Sequence, residues 1–508
     1  MQVVAYLLSS GLWTTAVLAL LAYRFVLIIY NLYFHPLSNI PGPRTWAASR
    51  IPYIYALTRG TIIQDFQSLH NRYGPILRVA PNEVTFAHPD AYTDMSKFMR
   101  DPMWWGRQPG RADSLLSASS WSTEKHAHMR RVLSPGFTAR ALRGQEPFIQ
   151  KYVNLLVSQL QEVVGESTNT SERAGAQVNM TPWFNYTTFD IFGDLGFGES
   201  FDCLQQSRYH AWISLLFDSV KAIGFIISTR YYPLLEFLLL KCIPPSMKQK
   251  GVDHYQQIVD KVSRRLSWEL QRPDLMSYLI DNSGDLKLPP DEIYATFSVL
   301  TTAGSETTAT ALTGTLNNLV NHSPDSLRAL EREIRGAFSS SEDITLDAVN
   351  DLPFLNAVLQ EGLRVCPPIP WVLPRLVPKG GSMVCGTWIP GGTPVSIQAY
   401  TLNRSPTLFH KPTAFIPERW LDSATTNKSS PFFNDQRQAV QPFIIGPWAC
   451  LGKDLAWAEM RLILAKLIWV FDFEAIKGQG VKWEELRTYL LVERKDVNVR
   501  VRLREDRV

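Results

Sequence analysis

The chain has 508 residues, of which 51 are basic and 47 acidic, so its formal net charge at neutral pH is +4. This balance argues against a nucleic-acid-binding protein, which would carry a marked excess of basic residues. The five cysteines are few, odd in number and scattered, which excludes a disulfide-rich framework and indicates a reducing compartment. Since no repeat or long low-complexity linker is present, one large domain behind a short N-terminal element is expected.

The N-terminal residues are strongly apolar. Residues 1–23 carry no charged side chain, and the apolar run resumes after Arg24. About twenty residues of helix, rising about 1.5 Å each, cross the hydrocarbon core of a bilayer, so residues 1–32 are predicted to be a transmembrane anchor. A cleaved signal peptide is the alternative, but a basic segment and a small-residue cleavage site are both missing. Arg24, Arg44 and Arg50 indicate that the following domain lies on the cytosolic side.

A proline-rich stretch at residues 33–45 follows the apolar run. Its prolines disfavour helix, so the stretch is predicted to be a stiff, extended hinge, and residues 46–508 are predicted to form the main domain. Within that domain, β-rich runs at 76–80 and 83–87 predict a hairpin. The segment 101–123 lacks periodicity and is predicted to be a long loop.

Three helices are predicted farther along the chain. The first begins near His126 and ends before Pro135. The second begins at 289–292, where two prolines and two acidic residues form a strong helix start, and continues to about His322. Its length of about 50 Å is enough to cross a whole domain. The third helix covers 352–365.

Several short motifs lie on these helices or follow them. The long helix contains A-G-S-E-T-T at 303–308, and the next helix contains E-x-x-R at Glu361 and Arg364. An extended segment follows at 367–375, and P-E-R-W occupies 417–420. Each motif alone has an ordinary explanation, such as a polar helix face or a solvated ion pair between residues three positions apart.

A cysteine loop follows near the C-terminus. Cys450 stands in a turn between Gly446 and Gly452, directly before an amphipathic run that begins at Leu455. A thiolate at this place would lie near helix N–H groups, which lower its pKa and make it a candidate metal ligand. A free cysteine considered alone is more often a small buried hydrophobe.

In combination, these motifs resemble those of the cytochrome P450 family. Phe443, Gly446, Cys450, Gly452 and Ala456 match the spacing F-x-x-G-x-x-x-C-x-G-x-x-x-A of its haem-binding loop, and the other motifs occur in the family's order. The resemblance extends from the hinge to near the C-terminus. It implies a mainly α fold with a small β portion, preceded by an N-terminal transmembrane helix.

The resemblance also implies haem b as the cofactor, with Cys450 as the axial thiolate ligand of the iron. Phe443, Gly446 and Gly452 would then belong to the haem-binding loop. His126 and Arg130 stand at the spacing of a family motif that reaches a haem propionate, and Arg375 is expected to reach one as well.

One residue of the haem-binding loop departs from the family pattern. Trp448 stands where the family usually has Arg or His, and an indole carries no charge to offset a carboxylate. Arg130 and Arg375 are therefore expected to matter more for binding the haem propionates.

The motif in the long helix resembles the family's oxygen-activation motif. Ala303 and Gly304 would leave room for the flat cofactor and a diatomic ligand. Thr307 can return its hydroxyl to the Ala303 carbonyl, and Glu306 is expected to pass protons inward. By the same resemblance, the set Glu361, Arg364 and Arg419 is interpreted as a buried structural ion network.

The function implied is that of a membrane-bound monooxygenase of the endoplasmic reticulum. It would hydroxylate or epoxidise a lipophilic small molecule with O2 and electrons from an NADPH-cytochrome reductase, in a fungal secondary-metabolite pathway. Two alternatives stay open: a haem-dependent isomerase or dehydratase, and a non-catalytic haem binder. The apolar runs 223–227 and 231–240 are either buried core or a lid that dips into the bilayer. Basic residues near the haem loop are candidates for docking the reductase: Lys453, Arg461, Arg131 and Arg140.

Overall fold

The computed structural model describes residues 2–107, 110–168, 175–209, 223–268, 272–280 and 286–504. Helices form most of this part of the chain, and the described strands gather into small sheets. The predicted mainly α fold with a small β portion is therefore confirmed.

The apolar N-terminus is one long helix, α1 (Gln2–Ile29), which continues as a π-helical turn at Tyr30–Phe34. Within it, Trp13–Phe34 is long and apolar enough to cross a membrane, and none of this stretch is buried against the rest of the chain. The following prolines keep the chain out of helix until α2 (Arg44–Ala48). This helix includes the last two residues of the predicted hinge.

The remaining helices follow in chain order. Those before residue 267 are α3 (Ile51–Arg59), α4 (Ile62–Tyr73), α5 (Ala91–Asp94), α6 (Pro102–Trp105), α7 (Leu115–Ala118), α8 (Thr123–Leu133), α9 (Ala139–Thr168), α10 (Met180–Phe197), α11 (Cys203–Gln206), α12 (described over 223–230), α13 (Pro233–Cys242) and α14 (Pro245–Leu266). Those after it are α15 (Pro290–Asn321), α16 (Pro324–Ala337), α17 (Leu346–Asn350), α18 (Pro353–Val365), α19 (Ala399–Asn403), α20 (Asp422–Thr426) and α21 (Lys453–Val470). The three predicted helices are confirmed as α8, α15 and α18.

Helix α15 is the central element of the fold. It packs against α10, α14, α18 and α21, and nearly every residue of its second half is buried. Its threonines suit this buried position because their hydroxyls form hydrogen bonds within the helix. Thr301, Thr310 and Thr313 each donate to the carbonyl four residues earlier, at 2.7–2.8 Å. A polar-looking helix can therefore lie in the core without leaving those groups unpaired.

The main sheet joins distant parts of the chain. Its strands, in spatial order, are β1 (Ile76–Ala80), β2 (Glu83–Phe86), β8 (Pro394–Ile397), β5 (Val372–Leu376) and β3 (Met99–Arg100). The predicted hairpin is the β1–β2 pair. The other strands form a sheet of β4 (Ala176–Asn179), β10 (Asn498–Leu503) and β9 (Phe471–Ala475), and a pair of β6 (Ser382–Val384) and β7 (Thr387–Ile389).

The segment 101–123, predicted to be one long loop, contains the short helices α6 and α7. Each is a single turn, too short to leave a periodic pattern in the sequence, and α7 has its own capping box at Ser114. The segment is also held by an ion pair: the Lys125 ammonium lies 2.8 Å from Asp113 and 2.7 Å from Glu292, the latter at the start of α15. The prediction of a loop was therefore wrong for these two turns.

Helices α12 and α13 form an apolar surface. No residue of α13 is buried, and Leu234 and Phe237 are 75% and 54% exposed. The interpretation of this run as buried core is wrong for α13. On α12, Ile227 is buried and Phe225 is exposed.

Candidate functional site

A cavity of about 280 Å³ lies between α15, the loop before α21 and the segment 367–375. The residues that line it include most of those singled out from the sequence: His126, Arg130, Ala303, Gly304, Thr307, Arg375, Phe443, Cys450 and Gly452. Gly446 and Glu306 do not line it. Motifs that are about 320 residues apart in sequence, from 126 to 452, therefore meet at one place.

The cysteine loop is held by its own backbone. The Cys450 N–H donates to the Phe443 carbonyl at 2.8 Å, and the Ala449 N–H donates to the Gly446 carbonyl at 3.0 Å. Gly446 has φ +82°, where a side chain is strained, and a Cβ there would lie 3.0 Å from the Ser96 Cβ. Helix α21 begins at Lys453, so the predicted order of loop, cysteine and helix is confirmed.

The electrostatic surroundings of Cys450 differ from the prediction. Burial raises the pKa of its thiol, and this effect outweighs the Gly452 N–H and the guanidinium groups of Arg130 and Arg100, which lower it. The prediction of a lowered pKa was wrong for the free thiol, because desolvation by the surrounding fold was not visible in the local sequence. The exposed part of this residue borders the cavity. A thiol at such a place becomes a thiolate when a metal ion binds it.

Three arginines surround the cavity, and one of them, Arg100, was missed from the sequence. Arg100 lies directly opposite Arg375 in the antiparallel pair of β3 and β5. Like charges placed opposite each other destabilise a sheet. Burial, above all, lowers the pKa of Arg100 to about 9 and that of Arg375 to about 10, and it also lowers the pKa of Arg130.

These arginines bond to carbonyl oxygens rather than to acids. Arg130 donates to Ala449 at 2.6 Å, and Arg375 donates to Met95 at 2.7 Å. Within the described part of the chain, none of the three forms an ion pair with a carboxylate. Nη1 of Arg100 has no hydrogen-bond partner among these residues. A cavity rimmed by desolvated cations fits a ligand that carries carboxylates, such as haem with its two propionates.

Trp448 and His126 pack against each other beside these arginines. Their ring centroids are 4.6 Å apart, and both side chains are buried. Burial, with Arg100 and Arg130, lowers the pKa of His126 to about 4, so the imidazole is neutral at cellular pH. Neither ring supplies positive charge. The expectation that arginines supply the positive charge for the haem propionates therefore extends to Arg100.

The motif on α15 divides between the cavity and the protein interior. The Thr307 hydroxyl donates to the Ala303 carbonyl at 2.7 Å, as predicted, and both residues line the cavity. Gly304 lets α10 approach, since a Cβ there would lie 3.0 Å from the Phe192 ring.

Glu306 is buried away from the cavity and accepts from Arg494 at 2.5 Å. Burial raises the pKa of Glu306 more than Arg494 lowers it. The expectation that Glu306 passes protons inward stays a prediction: one oxygen of its carboxylate is paired with Arg494, and the other has no hydrogen-bond partner among the described residues. Arg494 could not be found from the sequence, since it lies 188 residues away.

The E-x-x-R and P-E-R-W motifs form one buried network. Glu361 accepts from Arg364 at 2.7 and 2.8 Å and from Arg419 at 3.1 Å, and all three side chains are fully buried. Arg419 also pairs with Asp435, which was missed from the sequence. Burial alone would raise the pKa of Glu361, but Arg364 and Arg419 hold it below its usual value. All members of this network precede the cysteine loop in sequence. The network joins α18 to the segment that leads into the loop.

Comparisons with known proteins identify the family of this chain. The family model for Cytochrome P450 matches residues 41–500. Cytochrome P450 monooxygenase astA of Talaromyces wortmannii is 40% identical, with 95% of each chain covered. Cytochrome P450 monooxygenase astJ of Aspergillus oryzae is 38% identical, with 92% of each covered.

Averantin hydroxylase of Dothistroma septosporum is also 38% identical, with 90% of this chain and 84% of the relative covered. Among solved structures, a cytochrome P450DA heme domain has a TM-score of 0.72 at 19% identity, covering 92% of this chain and 97% of the other, which shows the shared fold. The cofactor implied by family and fold is haem held by a cysteine thiolate. The chain belongs to the cytochrome P450 family and is a P450 monooxygenase.

Proposed function

We propose that this protein is a membrane-anchored monooxygenase that uses haem b, O2 and NADPH-derived electrons to hydroxylate or epoxidise a lipophilic small molecule. The observation that carries the proposal is the meeting of Cys450, the Thr307 hydroxyl and three desolvated arginines at one cavity. The thiol supplies an iron ligand, and the cations suit the carboxylates of the macrocycle.

Each part of the cavity has its own role in this proposal. Cys450 would hold the iron, and Arg100, Arg130 and Arg375 would hold the propionates. When bound, the haem supplies the activation of dioxygen. Ala303 leaves space beside the cofactor because its side chain is a single methyl group, and Thr307 holds a hydroxyl proton next to that space.

The walls of the cavity support a lipophilic substrate. They are formed mainly by apolar side chains: Leu115, Phe192, Val299, Leu300, Ile369, Trp371, Val372 and Leu373. Such walls exclude water and favour apolar substrates. The exposed apolar surface of α12 and α13 would let such a substrate pass from the bilayer, as in the lid interpretation.

Residues 1–32 would anchor the protein in the endoplasmic reticulum membrane, residues 33–45 would be the hinge and residues 46–508 the cytosolic catalytic domain. The electron donor would be a membrane-bound NADPH-cytochrome reductase. A groove of about 840 Å³ that shares His126, Arg130 and Trp448 with the cavity supports a docking face, because Lys97 and Arg131 line it. A fungal secondary-metabolite pathway is supported by the relatives, one of which is an averantin hydroxylase.

The proposal is tested by reconstitution in microsomes with a fungal reductase and an extract of lipophilic metabolites under ¹⁸O2. The expected result is a product that gains one labelled oxygen only when NADPH is present. Turnover without NADPH would instead support an isomerase or dehydratase. Tight binding of a metabolite with no NADPH consumption would support a non-catalytic binder.

A further inference from the structure

Helix α15 presents one continuous stripe of residues to the cavity. The lining positions recur every three or four residues and therefore share one face of the helix: Thr296, Val299, Leu300, Ala303, Gly304, Thr307, Thr308 and Ala311. Thr296 is the N-terminal end of this stripe, and neither the motif analysis nor the proposed function uses it. The cavity wall therefore carries a hydroxyl group at a distance from the A-G-S-E-T-T motif.

The Thr296 hydroxyl differs from five other threonine hydroxyls of α15. Each of those five donates to the backbone carbonyl four residues earlier, at 2.7–3.1 Å: Thr301, Thr307, Thr308, Thr310 and Thr313. The Thr296 oxygen instead accepts a hydrogen bond from the Leu115 N–H at 3.2 Å. Among the described residues, no acceptor receives the Thr296 hydroxyl proton. This proton is therefore available to a molecule bound in the cavity.

The contact between Thr296 and Leu115 has a clear cause in the fold. Leu115 is the first residue of α7, and the first N–H groups of a helix have no acceptor within that helix. Thr296 supplies the acceptor, and both residues line the cavity. The Thr296 side chain is only 1% exposed, and a buried hydroxyl proton without an acceptor is unfavourable. An acceptor oxygen on a bound molecule would remove this cost.

The spacing along α15 sets a length for such a molecule. Thr296 precedes Thr307 by eleven positions, which is about three helical turns or about 16 Å, and it precedes Ala303 by seven positions, or about 10 Å. The lining residues between Thr296 and Ala303 are the apolar Val299 and Leu300. A molecule that is oxidised beside Ala303 and Thr307 and also reaches Thr296 is therefore elongated and apolar in its middle.

We propose that Thr296 is a specificity-determining residue whose hydroxyl donates a hydrogen bond to an acceptor oxygen of the substrate. The substrate class is an elongated lipophile with a carbonyl, ester or ether oxygen about 10–16 Å from the carbon that is oxidised. This inference rests on the proposed monooxygenase function and names the substrate class of the same cavity. The Thr296 O–H bond stays intact, so the residue acts on affinity and on the position of oxidation.

The hydrogen bond is tested by binding to the full-length holoenzyme. The probes are a series of 2-alkanones of increasing chain length and the n-alkanes of equal length, and affinity is measured by equilibrium dialysis without reductase or NADPH. Thr296→Val keeps the shape of the side chain and removes the hydroxyl. We expect it to weaken ketone binding about 2- to 12-fold, as is typical for the loss of one hydrogen bond, and to leave alkane binding unchanged.

The variants separate the hydrogen bond from packing. Thr296→Val also leaves the Leu115 N–H without its acceptor, but a resulting shift of α7 would affect ketones and alkanes alike. Thr296→Ser keeps the hydroxyl and should bind ketones as the wild type does. Thr301→Val is the matched control, because Thr301 is buried on the same helix, lies outside the cavity lining and donates to the Phe297 carbonyl at 2.7 Å. It should change neither affinity.

The position of oxidation tests the length. With reductase, NADPH and ¹⁸O2, the wild type should place the labelled hydroxyl about 10–16 Å from the carbonyl carbon in every ketone long enough to reach. In Thr296→Val the oxidised positions should spread along the chain, as they should for the alkanes in the wild type. Oxidation at a constant distance from the far methyl end would contradict the proposed length.

The remaining results decide the hydrogen bond. Equal weakening of ketone and alkane binding in Thr296→Val, or weakening of neither, would overturn the inference. Failure of the wild type to bind any of the ketones saturably would also overturn it. If the wild type consumes no NADPH with the probes or with the metabolite extract, the proposed function fails, whereas the dialysis still decides the hydrogen bond.

Discussion

Replacing Arg100, which lies opposite Arg375, is predicted to weaken haem retention but not to destabilise the haem-free protein. We expect Arg100→Met to weaken haem retention, because it removes a guanidinium that faces the cavity with one nitrogen unpartnered. A hydrogen bond to a charged group contributes about 1.5–3 kcal/mol, which corresponds to about 10- to 150-fold faster haem loss. In the haem-free protein the same change removes a desolvated like charge opposite Arg375. Its stability should therefore be unchanged or increased.

Haem loss is measured by transfer to an excess of apomyoglobin, and stability by thermal unfolding of the haem-free protein. Arg335→Met is the matched control, since this arginine donates to Asp472 and to two backbone carbonyls. It should lower stability and leave the rate of haem loss unchanged. The reasoning is refuted if Arg100→Met destabilises the haem-free protein while haem is retained as in the wild type.

Three other predictions concern the buried ion network, the cysteine loop and the N-terminal helix. Glu361→Gln removes the carboxylate that pairs with the fully buried Arg364, whereas Arg419 keeps Asp435 as a partner. The change should lower the free energy of unfolding by about 3–5 kcal/mol in a urea titration, and the exposed Glu418→Gln should change it little. The folded-state pKa of Glu361 lies below its usual value of 4.5, so the stability that it contributes is present above pH 4.5 and is lost as the pH falls through the folded-state pKa. Glu361→Gln should therefore lose less stability on acidification than Glu418→Gln, and an equal loss in the two variants would contradict this reasoning. Gly446→Ala should lower haem content, since the backbone has φ +82° and the new Cβ meets Ser96, while Gly478→Ala, at φ +80° with open space around it, has only the backbone strain of about 1 kcal/mol. Deletion of residues 2–34 should move the protein from carbonate-washed membranes toward the supernatant, although exposed α12 and α13 should keep part of it bound; complete retention would argue against the anchor.

The parts of the fold that could be predicted are those set by local sequence. The start of α15 follows from prolines and acidic residues within one turn, and the cysteine loop follows from glycine spacing beside Cys450. The return of the Thr307 hydroxyl to Ala303 is likewise a contact between residues four positions apart. Such features need no knowledge of distant residues.

The parts that escaped prediction depend on partners far away in the chain. Arg494 reaches Glu306 across 188 positions, and Arg100 meets Arg375 only because β3 and β5 pair. The direction of the Cys450 pKa shift was wrong for a related reason, since desolvation depends on the whole fold around the thiol.

The central claim is that Cys450 holds the haem iron through its thiolate. It is tested most directly by the carbon monoxide difference spectrum of the dithionite-reduced protein in microsomes, comparing the wild type with Cys450→Ser and with Cys385→Ser, a half-buried cysteine outside the cavity lining. We expect a strongly red-shifted Soret band in the wild type and in Cys385→Ser, and its loss in Cys450→Ser. A band that survives the change at Cys450, or a wild-type band without the shift, would contradict thiolate ligation by this residue.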